Sequence, residues 1–270
     1  MLAHCHVVLL FATVAVAQQP MPVGIGDSQP RPAVPPPTYA DEVPIDRPNF
    51  FTEISLGGGS FEHRTKGSDL DDKTTAGYFK LQFEGFSDMG FGGGIRLEAV
   101  GSDDNLFEGS ANPLSQAGSG ELFLYFGYRP RLERWDLPMR VGLMLHNYSL
   151  EENVSGDRID YTSGGLRFEI APDYALVQRQ NLRWSLYSAL SLGFGSTTVA
   201  TDPDTFEADS TTTMFGFDLG TRLRIGLFDL GVGYVYRSQT VDDSDVVGSF
   251  YYLGIEQEFS GLQVTLGLVF

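Results

Sequence analysis

From residue 49 onward the chain alternates with a period of two. Leu262, Val264, Leu266, Leu268 and Phe270 are large and apolar, and Gln263, Thr265 and Gly267 between them are small or polar; Val269 is the exception. Successive side chains of a strand point to opposite faces, so this spacing makes an element apolar along one whole face. The same alternation recurs upstream. It predicts strands at 50–60, 76–86, 91–101, 120–129, 137–149, 160–170, 182–196, 212–225, 229–240, 247–259 and 262–270.

The apolar faces read Phe79, Leu81, Phe83; Ile95, Leu97, Ala99; Leu122, Leu124, Phe126, Tyr128; Met139, Val141, Leu143, Leu145; and Leu166, Phe168, Ile170. They continue as Trp184, Leu186, Leu190, Leu192, Phe194; Phe215, Phe217, Leu219, Leu223, Ile225; Leu230, Val232, Tyr234, Tyr236; and Tyr251, Leu253, Ile255, Phe259. None of these faces carries Asp, Glu, Lys or Arg, although those residues make up 20% of the chain. The opposite face holds Lys80, Arg96, Arg129, Arg140, Arg167, Arg183, Arg222, Arg224 and Arg237, with Glu53, Glu84, Glu98, Glu121, Glu169, Asp218, Glu256 and Glu258. A soluble barrel has the reverse arrangement, apolar inside and charged outside. Hydrocarbon around the barrel accounts for the inversion, since Lys or Arg at a bilayer midplane costs ~2–4 kcal/mol. The predicted fold is all-β, a transmembrane antiparallel up-and-down β-barrel of about 10–12 strands.

Connections alternate in length. Short ones fall at 87–90, 130–136, 226–228 and 260–261, with 171–181 somewhat longer; long ones fall at 61–75, 102–119, 150–159, 197–211 and 241–246. The long set is acidic, with Asp69, Asp71, Asp72, Asp103, Asp104, Glu108, Glu151, Glu152, Asp202, Asp204, Glu207, Asp209, Asp242, Asp243 and Asp245, so much of the net charge of −17 is expected on one rim. That charge excludes nucleic acid as a partner, because binding it requires a basic surface. After the N-terminus no apolar run is long enough for a transmembrane helix.

Residues 1–17 read as a secretory signal: Val7 to Val16 form a short apolar core, and Ala15-Val16-Ala17 is a small-x-small cleavage site that predicts a mature N-terminus at Gln18. The n-region has His4 and His6 but no Lys or Arg. The single cysteine, Cys5, lies in this leader, so the mature chain is expected to have neither a disulfide nor a Cys-ligated metal. Residues 18–48 contain Pro20, Pro22, Pro30, Pro32, Pro35, Pro36, Pro37, Pro44 and Pro48 and read as an extended periplasmic linker leading to a barrel over 49–270.

The final strand, ending on Phe270, resembles the closing strand of bacterial outer-membrane β-barrels, in which a terminal Phe is part of the signal read by the assembly machinery. The resemblance is to this broad class. It implies location in the bacterial outer membrane, with outer-membrane lipids and the barrel assembly machinery as partners. Eleven predicted strands do not fit it, since single-chain bacterial barrels have an even number. The strand interrupted by Gly57, Gly58 and Gly59 is the weakest candidate for the wall.

Some barrels of this class are lipid-modifying enzymes or proteases. Here the mature chain has only His63 and His146. His146 and Ser149 point to opposite faces of an extended strand and cannot share a proton, so His146 reads as a polar lumen residue. His63, beside Glu62 and Arg64, reads as a solvated loop residue. Asp202-Pro203-Asp204 and Asp242-Asp243-Ser244-Asp245 offer oxygen ligands to divalent cations such as Ca²⁺ or Mg²⁺, but without the spacing of a known calcium loop they read as solvated acidic loops. Asn147-Tyr148-Ser149 and Asn153-Val154-Ser155 match a glycosylation sequon that is common by chance. Gly92-Gly93-Gly94 reads as relief of crowding in a curved wall rather than a phosphate loop. No catalytic, cofactor or metal residue is assigned, and the chain is expected not to be an enzyme.

The functional expectation is a structural or surface-binding barrel with an acidic outer rim and a largely occluded lumen; the alternatives are a narrow channel for small solutes or ions and, more weakly, a lipid-modifying enzyme. Occlusion is expected from bulky inward residues, among them Phe51, Tyr78, Phe123, Tyr125, Met144, Tyr148, Tyr161, Tyr187, Phe250 and Tyr252. It is also expected from ion pairs: Lys80 with Glu84 and Glu98, Arg167 with Glu169, Arg222 and Arg224 with Asp218, and Arg237 with Glu256. Inward Gly142, Gly193, Gly216, Gly231 and Gly233 either free space or let Tyr and Arg lie across the bore.

Overall fold

A computed structural model describes residues 49–67, 71–102, 114–130, 132, 134–152, 158–179, 181–202, 207–244 and 252–270. The signal segment and linker expected over 1–48 lie outside these residues, as do Asp69, Asp103, Asp104, Glu108, Asn153, Asp204, Asp245, Phe250 and Tyr251. The strands are β1 (Phe50–Thr65), β2 (Asp71–Phe86), β3 (Phe91–Ser102), β4 (Leu114–Tyr128), β5 (Trp135–Asp136), β6 (Met139–Glu152), β7 (Arg158–Ile170), β8 (Asp173–Arg179), β9 (Leu182–Asp202), β10 (Glu207–Ile225), β11 (Phe228–Val241) and β12 (Ile255–Val269). All pairings are antiparallel, and β12 pairs with β1 while β9 pairs with β10, so the sheet closes on itself.

The wall has ten strands, because β5 and β8 continue β6 and β7. Met139 opposite Ile170 and Asp136 opposite Asp173 belong to one unbroken register. Pro138 and Pro172 interrupt the two strands side by side, since neither has an N–H to give the ladder. Their carbonyls still accept, Pro138 from Ala171 N–H at 2.9 Å and Pro172 from Ser188 N–H at 2.9 Å. An even count brings the two ends of the barrel wall, at Phe50 and Phe270, to the side of the short turns. There Phe270 N–H donates to Phe50 at 2.9 Å and Phe50 N–H donates to Phe270 at 3.1 Å. Deleting Phe270 removes this clasp, so assembly into a heat-modifiable barrel should slow or fail while secretion continues; normal assembly of the shortened chain, followed by gel mobility, would contradict this.

Three sequence expectations differ from the structure. The end of predicted strand 247–259, the turn expected at 260–261 and the predicted strand 262–270 are one strand from Ile255 to Val269, with Ser260 paired to Ser60 and Tyr236 in mid-ladder; residues 247–251 lie outside the described residues. The glycine-interrupted first strand is fully in the wall, bonded along its length to β2 and β12. Much of the predicted 61–75 and 197–211 loops is also strand, since β1, β2, β9 and β10 run on past the expected boundaries.

The sheet is strongly sheared. Followed across the ladder from Phe51, the row passes Glu84, Gly94, Tyr125, Gly142, Arg167, Gly193, Met214, Gln239 and Gln257, and returns to β1 at His63, twelve residues beyond its start. For ten strands this shear puts the tilt in the ~35–45° range of closed barrels.

The outer surface is apolar over one band. Leu262, Val264, Leu266, Leu268 and Phe270 are all exposed, as are Phe79, Phe83, Leu124, Phe126, Leu143, Phe168, Leu192 and Leu219 on other strands. The outward run from Leu262 on β12 to Phe270 just after it is about 27 Å along the strand and about 20 Å high once tilted, a little under the ~25 Å band of outer-membrane barrels. Trp135, Trp184, Phe91, Phe228 and Phe50 are exposed near its turn-side edge. Beyond the other edge the same outward faces change character, to Ser60, Glu62 and Arg64 on β1 and to Glu256 and Glu258 on β12.

Candidate functional site

The interior is the candidate site, and it is built in two tiers. Level with the apolar band the inward positions are charged. Lys80 Nζ lies 2.5 Å from Glu53 and 4.0 Å from Asp218, and Arg222 reaches the other oxygen of Glu53 at 2.7 Å. Arg237 bridges Asp218 at 2.5 Å and Glu98 at 2.7 Å. Arg96 joins Glu98 at 3.0 Å to Glu169 at 2.6 Å. Arg140 joins Glu169 at 2.6 Å to Glu84 at 2.7 Å, and Arg167 adds Glu121 and, at 3.6 Å, Glu169. These six basic and six acidic groups form one connected network, drawn from β1, β2, β3, β4, β6, β7, β10 and β11. Several links cross the bore between strands that do not touch in the sheet, such as β3 to β11 and β3 to β7.

Neutral groups complete the network. Tyr125 donates to Glu84 at 3.0 Å and Gln82 donates to it at 3.1 Å; Arg167 donates to Ser191 at 2.8 Å. The Arg96 and Arg167 guanidiniums lie against the Phe123 ring at 5.1 and 5.4 Å, and Arg222 lies 4.2 Å from the centre of Tyr187. Three more pairs, Arg129 with Asp136, Arg183 with Asp173, and Arg224 with Asp229, follow at the turn-side mouth.

Of the pairings expected from sequence, Arg167 with Glu169 is present. The others are corrected. Lys80 meets Glu53 and Asp218 rather than Glu84 or Glu98, Arg222 meets Glu53, Arg224 meets Asp229, and Arg237 meets Glu98 and Asp218. Glu256 faces outward and bonds Arg64 at 3.3 Å. Nearness along the sequence or ladder does not select partners when the side chains are long enough to cross a sheared barrel.

The inward glycines act as floors for large side chains. A Cβ on Gly193 would meet Met144 Sδ at 2.8 Å, one on Gly94 would meet Tyr125 Cζ at 2.7 Å, and one on Gly216 or Gly231 would press on Arg237 or Arg222 at 3.4 Å. They let Tyr, Met and Arg lie across the bore, so they do not open it.

The second tier, toward the long loops, is aromatic and aliphatic. Phe61, Tyr78, Tyr148, Leu150, Tyr161, Val199, Val241, Ile255 and Phe259 pack as one buried cluster, with Tyr252 partly buried against it. Tyr78 stacks on Phe259 at 5.5 Å and Tyr148 on His63 at 5.7 Å. Here the barrel has the polarity of a soluble one, apolar inside and polar outside. Ile255 and Phe259, expected on the lipid face, point inward, and Glu258, expected inward, is exposed outward.

His63 is the candidate that sequence reasoning misplaced. It is a buried β1 residue, with Nδ1 2.9 Å from the Tyr148 hydroxyl and Nε2 3.4 Å from Thr65 Oγ1. What places it is the odd-numbered parity it shares on β1 with Phe51, Glu53 and Phe61, all buried. His146 faces the lumen as expected, opposite Glu121. Ser149 faces away, donating to Asp160 at 2.6 Å. Asp242 accepts from Lys66 at 2.8 Å and Thr211 at 2.7 Å, which holds its carboxyl below the usual range, and Asp243 accepts from Gly254 N–H at 2.7 Å. These two carboxylates fix the base of the β11–β12 connection. Among the described residues no cluster of His, Cys, Asp and Glu is placed to hold a metal ion.

No family model and no curated protein matches the sequence. Solved structures do match the fold. The outer membrane protease OmpT from Escherichia coli is 12% identical with a TM-score of 0.51, over 82% of this chain and 97% of that one. The translocator domain of the autotransporter NalP from Neisseria meningitidis is 9% identical with a TM-score of 0.37, over 83% and 90%. Neisserial surface protein A is 10% identical with a TM-score of 0.34, over 82% and 97%. The fold is that of a bacterial outer-membrane β-barrel.

Proposed function

We propose that the chain sits in a bacterial outer membrane as a closed barrel that acts at its surface rather than through its lumen. The observation that carries this reading is the ion-pair network across the bore, capped by the aromatic tier. Charges buried this deeply and paired on several sides hold the walls in place, because breaking one pair strands its partner away from water. Lipids contact the apolar band, and the assembly machinery recognises the strand that ends at Phe270. Any ligand is met at the loop-side rim, where acidic residues collect. Proteolysis is a property of OmpT; in this chain the separation of His146 from Ser149 supports a role without catalysis.

The alternative, a narrow channel, makes the opposite prediction in planar bilayers. Wild-type protein should be silent at ordinary voltages. Stable, large, single-step openings would overturn the closed-barrel reading and establish the channel.

A further inference from the structure

Between the ionic tier and the aromatic tier lies a cavity of about 60 Å³, lined in part by Ser119, Glu121, His146, Arg167, Gln239 and Gln257. Four polar atoms of its lining have no hydrogen-bond partner among the described residues: His146 Nδ1, Arg167 Nε, Gln239 Oε1 and Gln257 Nε2. Gln239 and Gln257 are only 5% and 4% exposed, so bulk water does not satisfy them. The Gln239 amide is held in place. Its Nε2 donates to Ser163 at 3.2 Å and to Thr212 at 3.2 Å, which leaves Oε1 as a fixed acceptor. Arg167 is likewise anchored through its two terminal nitrogens, on Glu121 and on Ser191, and Nε is the donor left over.

Buried polar groups in native proteins are almost always paired, with protein or with ordered water. Four orphans converging on one cavity therefore point to a missing occupant. It must both donate and accept, since Gln239 offers an acceptor and Arg167 and Gln257 offer donors. It must also be neutral, because the charges nearby already balance one another. A cavity of this size takes a few waters or one small polyol.

We propose that this cavity is a binding site for small neutral hydroxyl compounds, occupied by ordered water or by a molecule about the size of glycerol. The site does not require a closed lumen, so its test is separate from the conductance experiment. The first variant is Gln257→Met, which keeps the volume and removes the orphan donor.

If the cavity is occupied, the occupant loses a partner and the thermal midpoint of the purified barrel falls by a few degrees. Removing an orphan group from an empty cavity would instead leave the midpoint unchanged or raise it. Two measurements on wild type separate the sources. Nuclear Overhauser contacts between the Gln257 side-chain amide and long-lived water assign water. A saturable rise of the midpoint with millimolar glycerol, lost in Gln257→Met, assigns a polyol. An unchanged or higher midpoint in Gln257→Met, together with no water contact at that amide, would overturn the site.

Discussion

Replacing Glu169 by Ala should destabilise the barrel by ~3–5 kcal/mol, the usual cost of removing one partner from a buried ionic cluster. Glu169 is the hub of the network. Arg96 and Arg140 each reach it at 2.6 Å, Arg167 lies 3.6 Å away, and its side chain is 2% exposed. Without it three guanidiniums are left close together with less negative charge between them. They must separate or draw in water, so openings should appear in planar bilayers where wild type shows none. A control is Glu62→Ala, because Glu62 forms a half-exposed pair with Arg64 outside the barrel, where such pairs are worth about 0–1 kcal/mol. Urea unfolding midpoints read the first effect and single-channel recording the second. Equal midpoints for the Glu169 and Glu62 variants would show that the interior network does not hold the walls.

Leu219→Arg should all but abolish insertion. Leu219 is half-exposed on the lipid side of β10, paired with Ser188 and Tyr234 in the middle of the apolar band, and an arginine there costs ~2–4 kcal/mol. Thr213→Arg, on the same face of the same strand but past the band's upper edge, should insert normally. Heat-modifiable mobility distinguishes them, and equal behaviour would mean that the band's edge is misplaced. The neighbouring Gly220→Ser looks harmless from sequence, as a small polar residue facing a polar lumen. The structure reverses that expectation. A Cβ on Gly220 would lie 2.7 Å from both Gly233 Cα and Tyr187 Cε1, so the serine should be destabilising too, by pushing Tyr187 away from Arg222.

The lipid-facing register was legible in most of the chain because hydrocarbon imposes a simple rule on alternate residues, and Phe79, Leu124, Leu143, Leu192 and Leu219 all obey it. Reading failed where that rule ends. In β12 the apolar residues switch faces, from Leu262 outward to Phe259 inward, and a switch of parity looks like the end of one strand and the start of another. A one-residue slip in register turns every side chain to the other face, so the supposed turn at 260–261 misplaced Ile255, Glu256, Glu258 and Phe259 together. The same switch hid His63, since β1 loses its outward apolar residues after Leu56. The partners across the bore were not legible at all. They depend on the shear of the closed barrel, which is a property of ten registers taken together and of no single strand.

The switch of polarity on the outer wall also fixes how deep the protein sits. Sliding outward would bring Leu262 and Phe194 into water, and sliding inward would drag Ser60, Thr213 and Ser260 into hydrocarbon. A barrel cannot change its height by altering strand tilt without breaking its ladder, so it answers a thicker bilayer by thinning the lipid around it or by associating with other barrels. The cost of such hydrophobic mismatch is a fraction of a kcal/mol per Å. The band of about 20 Å is therefore matched to a thin membrane, such as the bacterial outer membrane. Long-chain lipids should gather the barrels into clusters that short-chain lipids disperse.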